Sequence, residues 1–199
     1  MSELDLDKIR SNYELMSDTE IIRIATQDAV GLRPEVADIL RSEINKRKLS
    51  TKLLEGVVAQ NTTYELDELT QYAETLRNLP CPNCGLKNDK LNGTVIHTVK
   101  SFVIFTTSER RPKVACPTCL DKMNENAISS TALLGWWGIP WGLIKTPIYI
   151  YRNLKSKKEN KEQQANKTLL AFTAHRIGEI IAANGENEKL LEILKSEKY

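Results

Sequence analysis

The residues best suited to chemistry are four cysteines in two matching clips, Cys81-Pro82-Asn83-Cys84 and Cys116-Pro117-Thr118-Cys119. Each clip sets two thiols two residues apart on a stretch that proline favours as a turn, and Gly85 follows the first. Two such clips can converge four thiolates on one tetrahedral ion, the donor set of a structural zinc site. The chain contains 4 cysteines, so the clips use them all. A lone C-x-x-C is also the redox pair of thioredoxin-like proteins. Two clips separated by residues 85–115, with no βαβ pattern around them, argue against that chemistry. Four thiolates leave a zinc ion no open position for an activated water, so Cys81, Cys84, Cys116 and Cys119 predict a structural Zn2+ and not a hydrolytic one.

Other chemistry-bearing residues are sparse. His97 alternates with apolar positions of a predicted strand, which puts it on the solvent face. His175 stands on a tail helix with no partnering pattern. Lys100, Arg110, Arg111 and Lys113 gather around the same strands, with Phe102 and Phe105 as stacking faces or as part of the ribbon's own core. Such a set fits nucleic acid and equally an ordinary solvated turn. No nucleophile–base pair, carboxylate pair or glycine-rich phosphate loop is evident, so the chain reads as a non-enzyme.

The third feature is apolar. Between Ala127 and Tyr151 the sole charge is Lys145, and the 3 tryptophans, Trp136, Trp137 and Trp141, all fall there. Gly135, Gly138, Pro140 and Gly142 break any continuous helix, leaving two apolar arms joined by an aromatic bend. Three readings stay open for this stretch: a single membrane span, a hairpin dipping into one side of a bilayer, or a segment packed inside the protein. Arg152 and Lys155 follow at once and suit anionic headgroups.

The elements that position these residues are legible from periodicity. Ser17-Asp18-Thr19-Glu20 has capping-box spacing, with Ile21, Ile22, Ile24 and Ala25 behind it and Gly31 as a stop. Pro34 opens a second helix with Val36, Ile39, Leu40 and Ile44 inward. Helices over Leu53 to Val58 and from Thr62–Glu65 to Leu76 follow, and Pro80 closes the run. Thr94–Val99 and Phe102–Thr107 read as strands, Ser108–Pro112 as a turn and Lys113–Ala115 as the return to the second clip. So small a ribbon needs metal binding to supply folding free energy. The run Arg152–Lys161 reads as a linker or exposed helix start. A helix over Gln164–Ala183, a stop at Asn184-Gly185 and a last helix over Glu188–Leu194 complete the chain.

Composition limits the function classes. The 199 residues carry a formal net charge of +2, too little to imply nucleic acid by itself. The first 78 residues are net acidic, and the cysteine region and the stretch after Tyr151 are net basic. The acidic opening Met1-Ser2-Glu3-Leu4-Asp5 is unlike a secretory signal, which leads to the expectation of reduced thiols and metal binding.

A C-P-x-C ribbon followed by T-x-x-L-G-W-W-G-x-P-W-G resembles a group of uncharacterised bacterial zinc-ribbon proteins with a hydrophobic segment after the ribbon. The match runs through Thr131-Ala132-Leu133-Leu134-Gly135 to Gly142, then Thr146-Pro147 and Asn153. It implies a bacterial source, a metal-stabilised ribbon and membrane proximity, and brings no activity with it.

These observations predict an α+β protein: a helical N-terminal module (1–78), a four-cysteine zinc β-ribbon (79–123), an apolar tryptophan-rich helical hairpin (124–155) and C-terminal helices (156–199). The function expected is that of an interaction or scaffold protein at the cytoplasmic side of a bacterial membrane, its C-terminal helices facing another protein or another copy. The alternative is a soluble zinc ribbon that binds nucleic acid.

Overall fold

The computed structural model describes residues 3–102 and 105–196. Among these are ten α-helices and one two-stranded antiparallel sheet, an α+β architecture. The chain divides into two compact units, Met1–Leu66 with Thr173–Ile193, and Asp67–Phe172 with Leu194–Tyr199. The four segments expected from the sequence are thereby regrouped, part of the C-terminal region joining the first unit.

The first unit is helical. It holds α1 (Glu3–Leu15), α2 (Asp18–Gln27), α3 (Pro34–Lys46), α4 (Lys52–Gln60) and α9 (Ile177–Ala182). The Ser17 hydroxyl accepts from the Glu20 N–H, and the Glu20 carboxylate accepts from the Ser17 N–H at 2.7 Å, completing the capping box of α2. Pro34 stands at the first turn of α3, where its missing N–H is not needed. Tyr13, Ile21, Ala25, Val36, Ile39, Leu40, Ile44 and Leu53 form the core. Arg47 donates to the carbonyls of Met16 and Tyr13 at 2.6 and 2.8 Å, satisfying the end of α1.

The second unit is built on β1 (Asn92–Phe102) and β2 (Phe105–Ala115), which pair from Asn92↔Ala115 to Phe102↔Phe105. Ser108–Pro112 is therefore not a turn but the middle of β2. Pro112 is tolerated because each strand of a two-stranded sheet has a free edge, and a residue lacking an N–H can face it. Val103 and Ile104 of the predicted strand lie outside the described residues.

Beyond the sheet the chain forms α6 (Pro117–Leu134) and α7 (Trp141–Glu159), an antiparallel helical hairpin bent at Gly135–Pro140. The basic run from Arg152 is thus the second half of α7 and not a linker. α5 (Leu66–Arg77) precedes the first clip. Its start is set later than the expected Thr62 box, because the Thr62 hydroxyl instead donates to the Val58 carbonyl at the end of α4. The predicted helix 164–183 is interrupted at Arg176 between α8 (Lys167–His175) and α9. Asn184 and Gly185, at φ 50 and 77, stop α9 before α10 (Asn187–Lys195).

The outer edge of β1 is covered by side chains instead of a third strand. Asn166 donates to the Gly93 carbonyl at 2.6 Å and accepts from its N–H at 3.2 Å. Asn153 makes the same two bonds to His97, and Thr131 accepts from the Val99 N–H at 3.2 Å. Ser101 donates to the Gly135 carbonyl at 2.8 Å. Buried amides and hydroxyls of α6, α7 and the segment before α8 thus do for this edge what a neighbouring strand would.

Candidate metal centre and apolar tip

Both clips lie at the Asn92↔Ala115 end of the sheet. The first is a tight turn in which Cys81 N–H donates to the Leu86 carbonyl and Gly85 N–H to the Cys81 carbonyl, each at 2.8 Å. Gly85 has φ +74, which a side-chain-bearing residue adopts only with strain. The second clip is no loop turn. Cys116 is the N-cap of α6, Pro117 occupies its first turn, and Cys119 sits on that turn.

This brings the four Sγ atoms within 4.8 Å of one another, and the group can hold a metal ion. Four thiolates at about 2.3 Å from a tetrahedral centre stand roughly 3.8 Å apart; the Cys84–Cys116 separation is 3.9 Å. Asn83 Nδ2 donates to Cys119 Sγ at 3.2 Å and Cys116 N–H to Cys81 Sγ at 3.4 Å, orienting and stabilising thiolate sulfur. Burial opposes ionisation of Cys81, but backbone N–H groups of Cys116, Cys84 and Asn83 outweigh it and bring this thiol down to about 7. Burial and the neighbouring thiols push Cys116 up to about 12. Thiols so crowded ionise together only around a cation, so the all-sulfur donor set fits a thiophilic metal ion.

At the other end of the sheet the polarity of the fold is inverted. Thr131, Gly135, Gly138, Gly142, Thr146, Tyr149 and Asn153 face inward and are buried. Leu133, Trp136, Trp137, Ile139, Trp141, Leu143, Ile144, Ile148, Tyr151 and Leu154 are exposed. Glycine sets this orientation. A Cβ on Gly138 would collide with the Thr106 hydroxyl, and one on Gly142 with the Gly135 carbonyl, so the backbone lies directly against the sheet and the indoles point away. Trp137 is 68% and Ile139 78% exposed. The Trp137 indole N–H donates to the Leu133 carbonyl at 3.0 Å, so the ring offers an apolar surface. Phe102 and Phe105 are 64% and 65% exposed on the paired strand ends, so neither packs in the ribbon's own core. The reading in which the protein encloses its indoles is overturned. No helix among the described residues is long and apolar enough to cross a membrane, which removes the single span as well.

The basic residues separate by strand face. Lys100, Arg111 and Lys113 line a groove of about 400 Å³ against Met123, Asn126 and Ser130 of α6. Arg110 lies on the opposite face, where its Nε donates to the Tyr149 hydroxyl at 3.3 Å. Arg152 reaches the same ring, its guanidinium carbon 5.6 Å from the centroid. Lys155 is paired with Glu159 at 3.6 Å near the end of α7. His97 does not face solvent: it is buried edge-on against Tyr149, and burial with the charges of Arg152 and Arg110 lowers it to about 4. Strand alternation misplaced it because both faces of β1 meet other elements. On the C-terminal helices Leu169, Phe172, Ile177 and Ile180 are buried.

Comparison with protein-family models, curated proteins and solved structures finds no match. The class that fold and site define is an α+β protein with a four-cysteine group able to bind metal. In the sequence Thr131, Thr146 and Asn153 stood out only as positions of the resemblance, without a packing role, and Tyr149 did not stand out at all. Their signal was present: small and polar residues recur every three or four positions through an apolar stretch.

Proposed function

We propose that this protein is a non-enzymatic interaction module: Zn2+ in a ribbon-like clip fixes the base of the sheet, and the tryptophan-bearing tip docks on the inner face of a bacterial membrane. Zinc is favoured over harder cations because all four donors are cysteine sulfurs gathered within 4.8 Å of one another. The observation that carries the membrane reading is the inverted polarity of 131–154, glycine and threonine inside and indole, leucine and isoleucine outside. Water favours the opposite distribution, and a lipid interface favours this one.

The dimensions support shallow insertion. At about 1.5 Å per residue, the exposed stripe Trp141, Ile144, Ile148 and Tyr151 spans roughly 15 Å, near half the ~30 Å hydrocarbon thickness. The test is flotation of the zinc-loaded full chain with phospholipid vesicles. Wild type should float and Trp137→Ala should float less while retaining its metal. No flotation with any lipid, or loss of metal and binding together, would remove the reading.

A second reading has its own observation, the groove of Lys100, Arg111 and Lys113. It makes the protein a soluble nucleic-acid-binding zinc ribbon. Salt-dependent oligonucleotide binding, weakened by Arg111→Gln, is its expected signature.

A further inference from the structure

Three cations gather beside the apolar tip. The Arg110 and Arg152 guanidinium carbons lie 5.9 and 5.6 Å from the centroid of the same Tyr149 ring. One helical turn before Tyr149, the Lys145 ammonium donates to the Ser108 hydroxyl at 3.2 Å. Among the described residues no carboxylate pairs with Arg110, Arg152 or Lys145, whereas Arg111 pairs with Glu109 and Lys157 with Glu125. His97, packed on the same ring, is held neutral and brings no opposite charge. Burial would raise the Tyr149 phenol, but hydrogen bonds from Arg110 and Ser108 and the charges of Arg110 and Lys145 bring it below its ordinary value. Like charges converging without a counter-ion leave a local positive potential that an anion relieves.

Position then selects the anion. Lys145 and Arg152 share one stripe of α7, seven residues apart, and this stripe borders the outward line of Trp141, Ile144, Ile148 and Tyr151. Both guanidiniums are exposed. An aromatic tip with unpaired arginines along its border matches the layering of a leaflet, acyl chains beneath phosphates, and guanidinium forks match phosphodiester oxygens in pairs.

We infer that Arg110 and Arg152, with Lys145, form a headgroup site for the phosphate of an anionic phospholipid, which selects the charge of the membrane on which the tip docks. The site rests on the membrane reading above and adds lipid selectivity to it.

The experiment uses the zinc-loaded full chain with vesicles of phosphatidylcholine alone and of phosphatidylcholine mixed with phosphatidylglycerol. Wild type should partition more strongly onto the mixed vesicles. Arg110→Gln/Arg152→Gln should lose roughly 30-fold there, as expected for two basic groups near a charged surface, with binding to phosphatidylcholine unchanged. Metal content and melting temperature check the fold of the variant. Lys145→Gln, which leaves the Tyr149 ring contacts intact, should lose roughly fivefold by the same reasoning. If both variants keep the wild-type preference, the headgroup site is wrong and the membrane reading stands. If wild type binds neither vesicle, both fall. If inorganic phosphate at matched ionic strength abolishes the preference where chloride does not, the site takes soluble phosphate, and the lipid assignment is overturned.

Discussion

The side-chain amide of Asn153 is paired with the backbone of His97, accepting from its N–H at 3.0 Å and donating to its carbonyl at 2.7 Å. One side chain of α7 thus satisfies both backbone groups at the outer, covered edge of β1. Asn153→Ala should leave both buried and unpaired, at a cost of about 2–4 kcal/mol. Asn153→Asp should be at least as damaging, because a carboxylate cannot donate and its charge would be buried. Denaturant unfolding of the metal-loaded protein measures both, and a loss under about 0.5 kcal/mol for the alanine variant would show that water replaces the amide.

The metal group should couple to the same sheet. Replacing Cys84 or Cys116 by serine, or adding a chelator, should abolish stoichiometric metal and melt the second unit, since its sheet has only two strands and metal binding contributes folding free energy. Elemental analysis and far-ultraviolet dichroism read the two effects. Dichroism and melting unchanged by chelation would show that the cysteine group does not depend on a metal.

Gly142 lies against the Gly135 carbonyl and the Ser101 side chain, which leaves no room for a Cβ. On an open helix Gly→Ala gains about 1 kcal/mol. Here Gly142→Ala should instead destabilise by about 1–3 kcal/mol, because α7 must move off the sheet. A stabilised variant in thermal melts would mean that the two arms are not in close contact.

Protonation of His97 gives a sign-defined pH dependence. Folding lowers its pKa from 6.5 to about 4, through burial first and then Arg152 and Arg110. The unfolded chain therefore binds the extra proton first, and stability should fall as pH drops from 6.5 toward 4 and level off below. Thiolate protonation also weakens metal binding in acid, so the quantity to measure is the difference between wild type and His97→Gln across that window. Parallel curves would show that His97 does not titrate there.

The amino-acid sequence by itself determined the local chemistry. Cysteine spacing placed four thiols on two clips, the Ser17–Glu20 box and Pro34 started their helices, and glycine with proline divided the apolar stretch into two arms. Each of these is decided by neighbours along the chain, through hydrogen bonds or dihedral limits reaching only a few residues. Tertiary structure alone decided what the sheet edges met. It turned Ser108–Pro112 from a turn into a strand, buried His97 beside Tyr149, and put Arg110 on the face opposite Lys100, Arg111 and Lys113. Period-two alternation assigns faces only when one side of a strand is wet, and here α6 and α7 compete with water for both. The outward indoles have the same origin: three glycines and two threonines let backbone approach backbone, and close packing against the sheet left the large side chains nowhere to go but out.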